Sequence, residues 1–361
     1  MSVYDLLKER ALPELLKFND GSEVKTAADF KKRREEIKHI LEEREYGKIP
    51  PKPDHMRVEV EQMPYNYAAG RAVMRKLKLI FEIGEEEFSF PAMSITPTSE
   101  GKHPAFVHIS FFGESQHKYQ PTEHIVNRGY AVFAFNYKDV TSDDNDFTTG
   151  IAPNLCKSRR RSNSTSKIAM WAWAAMRLMD YVQTLDEIDT DNVAVIGHSR
   201  LGKTALVAGG FDERFKYVIS NDSGMSGAAI TRGKIGEDPE TITRVFPFWF
   251  CPWFIEHAKD YQKHEFDQHF LTALTVPRHL MVGSAELDEW ADPTSEFLGT
   301  LAANEAYALY GMKGLVHRDE VPKAECALNE GDSHYHIRTD AHYLSYRDWD
   351  AYMDFIDKYV K

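Results

Sequence analysis

Two patterns of hydrophobic and polar positions divide the chain. Residues 1 to about 50 follow a helical pattern, and charges of both signs line its polar faces in KKRREEIKHILEEREYG. The proline-rich segment GKIPPKP then ends this pattern. The next segments, MRVEVEQM and RKLKLIFEI, alternate apolar and polar residues as half-buried antiparallel strands do. The pattern predicts a helical N-terminal extension over residues 1–50 and one larger domain over residues 51–361.

Denser apolar runs follow, and they alternate with helical patterns. PAFVHISFF (104–112), GYAVFAFNY (129–137) and DNVAVIG (191–197) are typical of strands that are covered on both faces. Similar runs lie at 215–222, 277–286 and 333–338, and helical patterns cover 166–185 and the C-terminal YRDWDAYMDFIDKYV. Strands that alternate with helices predict an α/β fold with a mostly parallel, doubly wound sheet and helices on both faces.

Composition excludes several classes of function. Lys and Arg number 44 against 56 Asp and Glu, a net charge of −12 at pH 7, which argues against a nucleic-acid partner. No run approaches the roughly 20 apolar residues that span a bilayer, so no membrane partner is expected. The first residues contain no apolar signal-peptide core, which favours a cytoplasmic location. Three distant cysteines, Cys156, Cys251 and Cys326, do not form a disulfide framework or a cysteine zinc site.

Two histidine-containing segments are candidates for metal sites. The motif HExxH would need a histidine four residues after His264, where Gln268 stands, so the spacing fails. His334 and His336 lie two residues apart on a predicted strand, and no third ligand is evident nearby. The sequence therefore predicts neither a metal nor a cofactor.

The segment GHSRLGKT, residues 197–204, follows a buried strand and precedes a helical run. It matches the P-loop pattern GxxxxGK[ST], in which Lys203 and Thr204 would serve a nucleotide and its Mg²⁺. Asp222, at the end of the next predicted strand, would then correspond to a Walker B aspartate. A P-loop nucleotide-binding protein is therefore one interpretation.

The same segment is also a variant nucleophile elbow. Such an elbow raises a serine, here Ser199, on a sharp turn between a strand and a helix. The glycine that usually stands two residues after the serine is replaced by Leu201, and a glycine follows one position later. P-loops usually follow the first strand of their domain, whereas several strands precede this segment, so the context favours the elbow.

An acid and a histidine also follow Ser199 in the order that α/β-hydrolases use. Asp222 ends the next predicted strand, Asp288 follows the strand after that, and His342 follows the last strand. The sequence thus predicts a serine hydrolase of the α/β-hydrolase fold and leaves the identity of the acid open.

Several motifs between residue 165 and the C-terminus occur together in one order. They are GHSRLGK, DERFKYVISNDSGMSGAA, GED before FPFWF, FDQHFLTALTVPR, SAELDEWADP and HYHIRTDAHYLSYRDW. These segments resemble the glucuronoyl esterases, which are carbohydrate esterase family 15 or 4-O-methylglucuronoyl methylesterases, and most closely the bacterial branch. EYGKIP and the FFGE turn match that family more loosely.

The resemblance implies an α/β-hydrolase that cleaves esters of (4-O-methyl)glucuronic acid, such as those that link xylan to lignin alcohols. By this resemblance Ser199 is the nucleophile, His342 the general base and Arg200 an oxyanion-hole donor. The family places its acid after either of two strands, which favours Asp222 slightly and keeps Asp288 as an alternative or a helper.

The resemblance also suggests residues for substrate binding. Lys203 and Trp290 occupy positions that in the family hold the uronate ring, and Glu237 is a weaker match to a sugar-binding position. Fungal members carry a disulfide-forming cysteine where this chain has His198. The aromatic run 247–254 and the basic segment 157–162 are candidates for a border of the substrate site.

Since no export signal is evident, a short xylan-derived saccharide ester is the expected substrate. A small-molecule ester is also compatible. The alternatives are an acetyl xylan esterase of the same fold, a catalytically silent carbohydrate binder, and the P-loop protein.

Overall fold

The computed structural model of the chain describes residues 2–61, 65–156, 159 and 161–360. In this part of the chain, eleven strands form one mixed sheet. The strands are β1 His55–Val60, β2 Tyr65–Tyr67, β3 Ala72–Ile83, β4 Glu86–Pro97, β5 His103–Ser110, β6 Ala131–Asn136, β7 Ile188–His198, β8 Tyr217–Asn221, β9 His279–Ala285, β10 Cys326–Leu328 and β11 Ser333–Arg338.

The sheet is parallel at its centre and antiparallel at both edges. Its order is β1-β3-β4-β6-β5-β7-β8-β9-β11-β10, with β2 paired to β3. The six central strands run parallel to one another, and they are β6, β5, β7, β8, β9 and β11. Strands β1 to β4 at one edge and β10 at the other are antiparallel to their neighbours. The predicted antiparallel entry and parallel centre are both present.

Helices connect these strands. The α-helices are α1 Val3–Glu9, α2 Ala27–Arg44, α3 Thr122–Asn127, α4 Tyr137–Val140, α5 Ala152–Leu155, α6 Lys167–Val182, α7 Arg200–Phe211, α8 Pro239–Val245, α9 Pro252–His257, α10 His269–Ala273, α11 Pro293–Ala302, α12 Asn304–Ala308 and α13 Tyr346–Asp357. Short 3₁₀ helices lie at Ala68–Gly70, Pro247–Trp249 and Ala258–Lys263. None of the helices in the described ranges is long and apolar enough to cross a membrane.

Apolar side chains pack on both faces of the sheet. Along β5, Val107 and Ile109 belong to one hydrophobic cluster and Phe106 to a second, as the alternation of side chains along a strand requires. The first cluster contains the buried stripe of α6 and buried residues of α1 and α2, and the second contains those of α13. Trp173 of α6 also donates a hydrogen bond from Nε1 to the Pro51 carbonyl at 2.9 Å. Helices from the first 50 residues therefore share one core with the sheet.

Parallel strands bring their carboxyl ends to one edge of the sheet. Strand β7 ends immediately before Ser199, and β8 ends immediately before Asp222. Strand β9 ends three residues before Asp288, and β11 ends four residues before His342. Residues that are far apart in the sequence thus gather at this edge, where open α/β sheets bind their ligands.

We expect the stability of the fold to decrease as the pH falls from 7 to 5. Burial lowers the pKa of five histidines to about 3 or 4, so they stay neutral in the folded chain but bind protons below their usual value of 6.5 when it unfolds. They are His108, His198 and His334, with pKa values of about 3, and His117 and His269, with values of about 4.

Three buried carboxyls have the opposite effect. Burial raises the pKa of Glu45 and of Glu296 to about 7 and also raises the pKa of Asp222, so each stabilises the folded chain as the pH falls. Five histidines outweigh three carboxyls, and each proton that the unfolded chain binds in excess is worth about 1.4 kcal/mol of stability per pH unit. Thermal unfolding at pH 7, 6 and 5 would measure this effect, and His334→Gln should weaken it. A melting temperature that rises toward pH 5 would contradict the expectation.

Candidate active site

Ser199 lies on a strained turn between β7 and α7. Its backbone has φ 60° and ψ −129°, outside the regions that residues with a side chain prefer. A Cβ on Gly197 would lie 2.0 Å from the Leu201 carbonyl oxygen, and one on Gly202 would lie 3.0 Å from the Ser223 Cβ. The turn therefore needs glycine at 197 and favours glycine at 202, where its helix approaches the loop after β8, and position 201 accepts a buried leucine. This is a nucleophile elbow with a displaced glycine.

His342 forms its hydrogen bond with Asp288. The distance from His342 Nδ1 to Asp288 Oδ2 is 2.6 Å, and Asp288 is 5% exposed. Burial acts to raise the pKa of Asp288, but the hydrogen bond and charge of His342 and the Ala291 amide outweigh it and lower the pKa. The Asp288 carboxylate can therefore stabilise a positive charge on His342.

Asp222 is bound mainly to Arg338. Arg338 Nη2 donates to Asp222 Oδ2 at 3.0 Å, and the Tyr343 amide donates to the same oxygen at 3.2 Å. Burial and the nearby Glu296 raise the pKa of Asp222, while Arg338 acts to lower it. The sequence-based preference for Asp222 as triad acid is therefore corrected, because the geometry gives the histidine to Asp288 and Asp222 to an arginine.

Asp222, Asp288 and His342 each direct one potential metal-ligand atom into a region 4.8 Å across. These side chains already have partners within the chain. His342 and Asp288 bind one another, and the Arg338 guanidinium supplies a positive charge beside Asp222. Among the described residues, the buried Asp222 Oδ1 has no hydrogen-bond partner.

Arg200 begins helix α7 next to Ser199, and Asp143 binds its guanidinium. Asp143 accepts from Arg200 Nη1 and, at 2.8 Å each, from Tyr137 Oη and Trp249 Nε1. The guanidinium carbon lies 4.7 Å from the centre of the Trp249 ring. Within the described part of the chain, the buried Arg200 Nε has no hydrogen-bond partner. Asp143 and Trp249 thus hold the guanidinium of Arg200 beside Ser199.

Sequence reasoning missed Asp143. It lies in the run TSDDND, and nothing in that run separates it from its acidic neighbours. The aromatic run 247–254 does reach the site, because Trp249 stacks on Arg200 and Phe246 stacks on Trp249 with ring centres 4.0 Å apart. In the basic segment, Lys157, Ser158 and Arg160 lie outside the described residues. Arg159 donates to the Phe250 carbonyl.

Lys203, Glu237 and Trp290 form one hydrogen-bonded chain. Lys203 Nζ lies 3.2 Å from Glu237 Oε2, and Trp290 Nε1 donates to Glu237 Oε1 at 3.2 Å. Lys203 is buried and also donates to the Ser223 and Met225 carbonyls, so its ammonium is not presented to a phosphate. The Trp290 side chain is the exposed end of this chain of contacts.

His198 packs beside His342. Its Nδ1 lies 2.7 Å from Asn221 Oδ1, and its ring centre lies 4.5 Å from that of His342. Burial, and then the positive charge of His342, lowers the pKa of His198 to about 3. A neutral imidazole at this position does not repel a proton taken up by His342.

Ser199, Arg200 and His342 line one cavity of about 360 Å³. The other lining residues are Phe111, Phe112, Lys118, Tyr119, Tyr137, Lys138 and His198. The first N–H groups of a helix have no partner within the helix, so the Arg200 amide at the start of α7 is a further donor beside the serine. A serine, a histidine with its carboxylate, and cationic donors in one cavity are the groups that acyl transfer requires.

Comparison with known proteins identifies the family. A family model described as "Glucuronyl esterase, fungi" matches residues 81–311. Carbohydrate esterase MZ0003, from an unknown prokaryotic organism, is 32% identical in an alignment of 392 residues that covers 97% of this chain and 89% of that protein. This chain belongs to the glucuronoyl esterase family.

Solved structures of the family have the same fold. A glucuronoyl esterase from Solibacter usitatus matches with a TM-score of 0.88 and 30% identity over 96% of this chain and 97% of that one. The glucuronoyl esterase of Sporotrichum thermophile, solved with methyl 4-O-methyl-beta-D-glucopyranuronate, has a TM-score of 0.68 and 26% identity over 83% of this chain and 78% of its own. The predicted bacterial branch, α/β-hydrolase-type fold and carboxylic ester hydrolase class are confirmed.

The two acids can be separated by matched substitutions. We expect Asp288→Asn to lower kcat by as much as about 10⁴-fold, because an amide leaves the neighbouring histidine in the wrong tautomer. Asp222→Asn keeps an oxygen for Arg338 and should cost at least about ten-fold less. Steady-state kinetics on a chromogenic acetate ester would compare them. A larger loss for Asp222→Asn would return the role of the triad acid to Asp222.

Proposed function

We propose that this chain hydrolyses esters of (4-O-methyl)glucuronic acid on xylan-derived saccharides through a covalent acyl-enzyme. The observation that carries the proposal is the hydrogen bond between His342 and Asp288, at a cavity that Ser199 also lines. The complex of the Sporotrichum thermophile relative with a methyl glucuronate ester supports a small-molecule ester substrate.

In this proposal His342 removes the Ser199 proton as the serine oxygen attacks the ester carbonyl. Asp288 holds the imidazole in the correct tautomer and stabilises the imidazolium. The imidazolium then donates its proton to the leaving alcohol, and the acyl group stays on Ser199. Water, activated by His342, releases the uronic acid and restores the serine.

The negative charge on the carbonyl oxygen in the transition state needs donors that are already in position. We assign this role to the Arg200 amide and to the Arg200 guanidinium, which Asp143 and Trp249 hold in place. A donor fixed in advance stabilises the oxyanion without a reorganisation cost during the reaction.

The sugar is the acyl part of this substrate and needs polar partners of its own. We assign its recognition to Trp290 and Glu237, with Lys203 behind them to fix the Glu237 carboxylate. An aromatic face next to a carboxylate suits a sugar ring, which has both C–H faces and hydroxyl donors.

The alternative within this fold, an acetyl xylan esterase, is not favoured, because the matching family model and curated relatives are glucuronoyl esterases. Of the alternatives from other classes, a P-loop protein is disfavoured because Lys203 is used by Ser223, Met225 and Glu237. Organisation as one catalytic domain over residues 51–361 with a doubly wound sheet and a helical extension over residues 1–50, a cytoplasmic location and a role in xylan degradation stay predictions.

The substrate assignment can be tested with two esters. We expect turnover of benzyl glucuronate to exceed that of p-nitrophenyl acetate in kcat/KM, because only the first ester carries the sugar whose recognition we assign to Trp290 and Glu237. Ser199→Ala should abolish turnover of both, and a serine-directed fluorophosphonate should inactivate the wild type. Strong acetate turnover without glucuronate turnover would contradict the substrate and leave the hydrolase class intact.

The oxyanion role of Arg200 predicts a loss in the chemical step. Arg200→Ala should lower kcat by about 10²- to 10³-fold, the typical effect of one oxyanion donor. Arg214 is a suitable control, since it is an arginine paired with carboxylates outside the cavity. Kinetics of both variants would check the assignment, and a wild-type kcat for Arg200→Ala would remove Arg200 from the mechanism.

A further inference from the structure

We propose that Arg338 is a positioning residue that holds the loop carrying His342, and that Asp222 acts in catalysis through Arg338. This inference rests on the proposed function only in that His342 is taken as the general base. Its basis is a set of contacts to the backbone on both sides of His342.

The loop from 339 to 345 joins β11 to α13, and the histidine that it carries is not held in place by burial. The His342 side chain is 42% exposed, whereas its partner Asp288 has a side chain 4% exposed. An exposed ring on a seven-residue loop needs a separate restraint, since small displacements of a catalytic group are costly.

Arg338, the last residue of β11, supplies that restraint from inside the turn. It is 5% exposed and donates from Nη1 to the Ala341 carbonyl at 3.0 Å and from Nη2 to the Tyr343 carbonyl. These two residues directly precede and follow His342. A planar guanidinium can bridge two such carbonyls because its donors are fixed in one fork.

Two buried carboxylates fix the guanidinium in turn. Asp222 Oδ2 accepts from Arg338 at 3.0 Å and also from the Tyr343 amide at 3.2 Å. Asp348, in the first turn of α13, accepts from Arg338 Nε at 2.8 Å and from His336 Nε2 at 2.7 Å. The loop is thereby tied to the end of β8 and to the start of α13, which are both rigid elements.

The two aspartates have different roles in this arrangement. Asp288 contacts the imidazole and orients the ring, while Asp222 and Arg338 contact the main chain and orient the loop. A cation is required between Asp222 and Asp348, because two buried carboxylates without one would repel each other and lose hydration.

Arg338→Lys tests this inference, because lysine keeps the charge but its single ammonium cannot bridge both carbonyls and both carboxylates. We expect kcat to fall at least about ten-fold while KM stays within about two-fold, since the base is displaced and the sugar contacts are not. The rate of Ser199 labelling by a fluorophosphonate should fall by the same factor. Arg338→Gln provides a second variant should the lysine variant not fold.

Arg232→Lys is the matched control. Arg232 is also 5% exposed and donates to the carbonyls of Gln262, His264 and Phe266 and to the Asp267 carboxylate, outside the cavity that Ser199 lines. It should lose a similar amount of thermal stability and keep kcat within about two-fold of the wild type.

The inference is overturned if Arg338→Lys keeps the wild-type kcat, or if Arg232→Lys loses as much kcat as Arg338→Lys. These outcomes leave the proposed function intact, because the wild type is still labelled at Ser199. A wild type that is not labelled contradicts the proposed function itself, and this inference with it.

Discussion

The parallel alignment of β7, β8, β9 and β11 is the constraint on which the site depends. Parallel strands place all their carboxyl ends at one edge, so the elbow serine, two aspartates and the histidine loop meet there although 143 residues separate Ser199 from His342. Antiparallel strands would send alternate ends to opposite edges. The antiparallel strands β1 to β4 accordingly extend the sheet and carry none of these four residues.

Charge balance is the second constraint on this edge. The chain carries a net charge of −12, and the loops after the strands contain several buried carboxylates. Three carboxylates at this edge are each paired with a cation from another segment: Asp143 with Arg200, Asp222 with Arg338 and Glu237 with Lys203. A buried carboxylate without such a partner would be protonated or would destabilise the fold. The cations therefore hold the acidic loops together and give the cavity its donors.

Local chemistry explains what the sequence could predict. The elbow is a contiguous turn, so its glycines and its serine can be recognised within eight residues of sequence. The order of the strands then places Asp222, Asp288 and His342 near Ser199. The choice between the two acids could not be predicted from the sequence, because it depends on the Arg338 side chain, which is 116 residues from Asp222. Asp143 was missed for the same reason, since its three donors come from separate segments.

The two acids also differ in how the loss of each carboxylate would affect catalysis. A carboxylate after β9 meets the imidazole directly, so its loss removes the tautomer control that catalysis needs. A carboxylate after β8 is one member of a network with Arg338, Asp348 and the main chain around His342, and its effect is distributed over several contacts. Residues that act as a unit are not additive. An aspartate at the end of β8 can therefore be important for the position of the base without touching the ring that carries the proton.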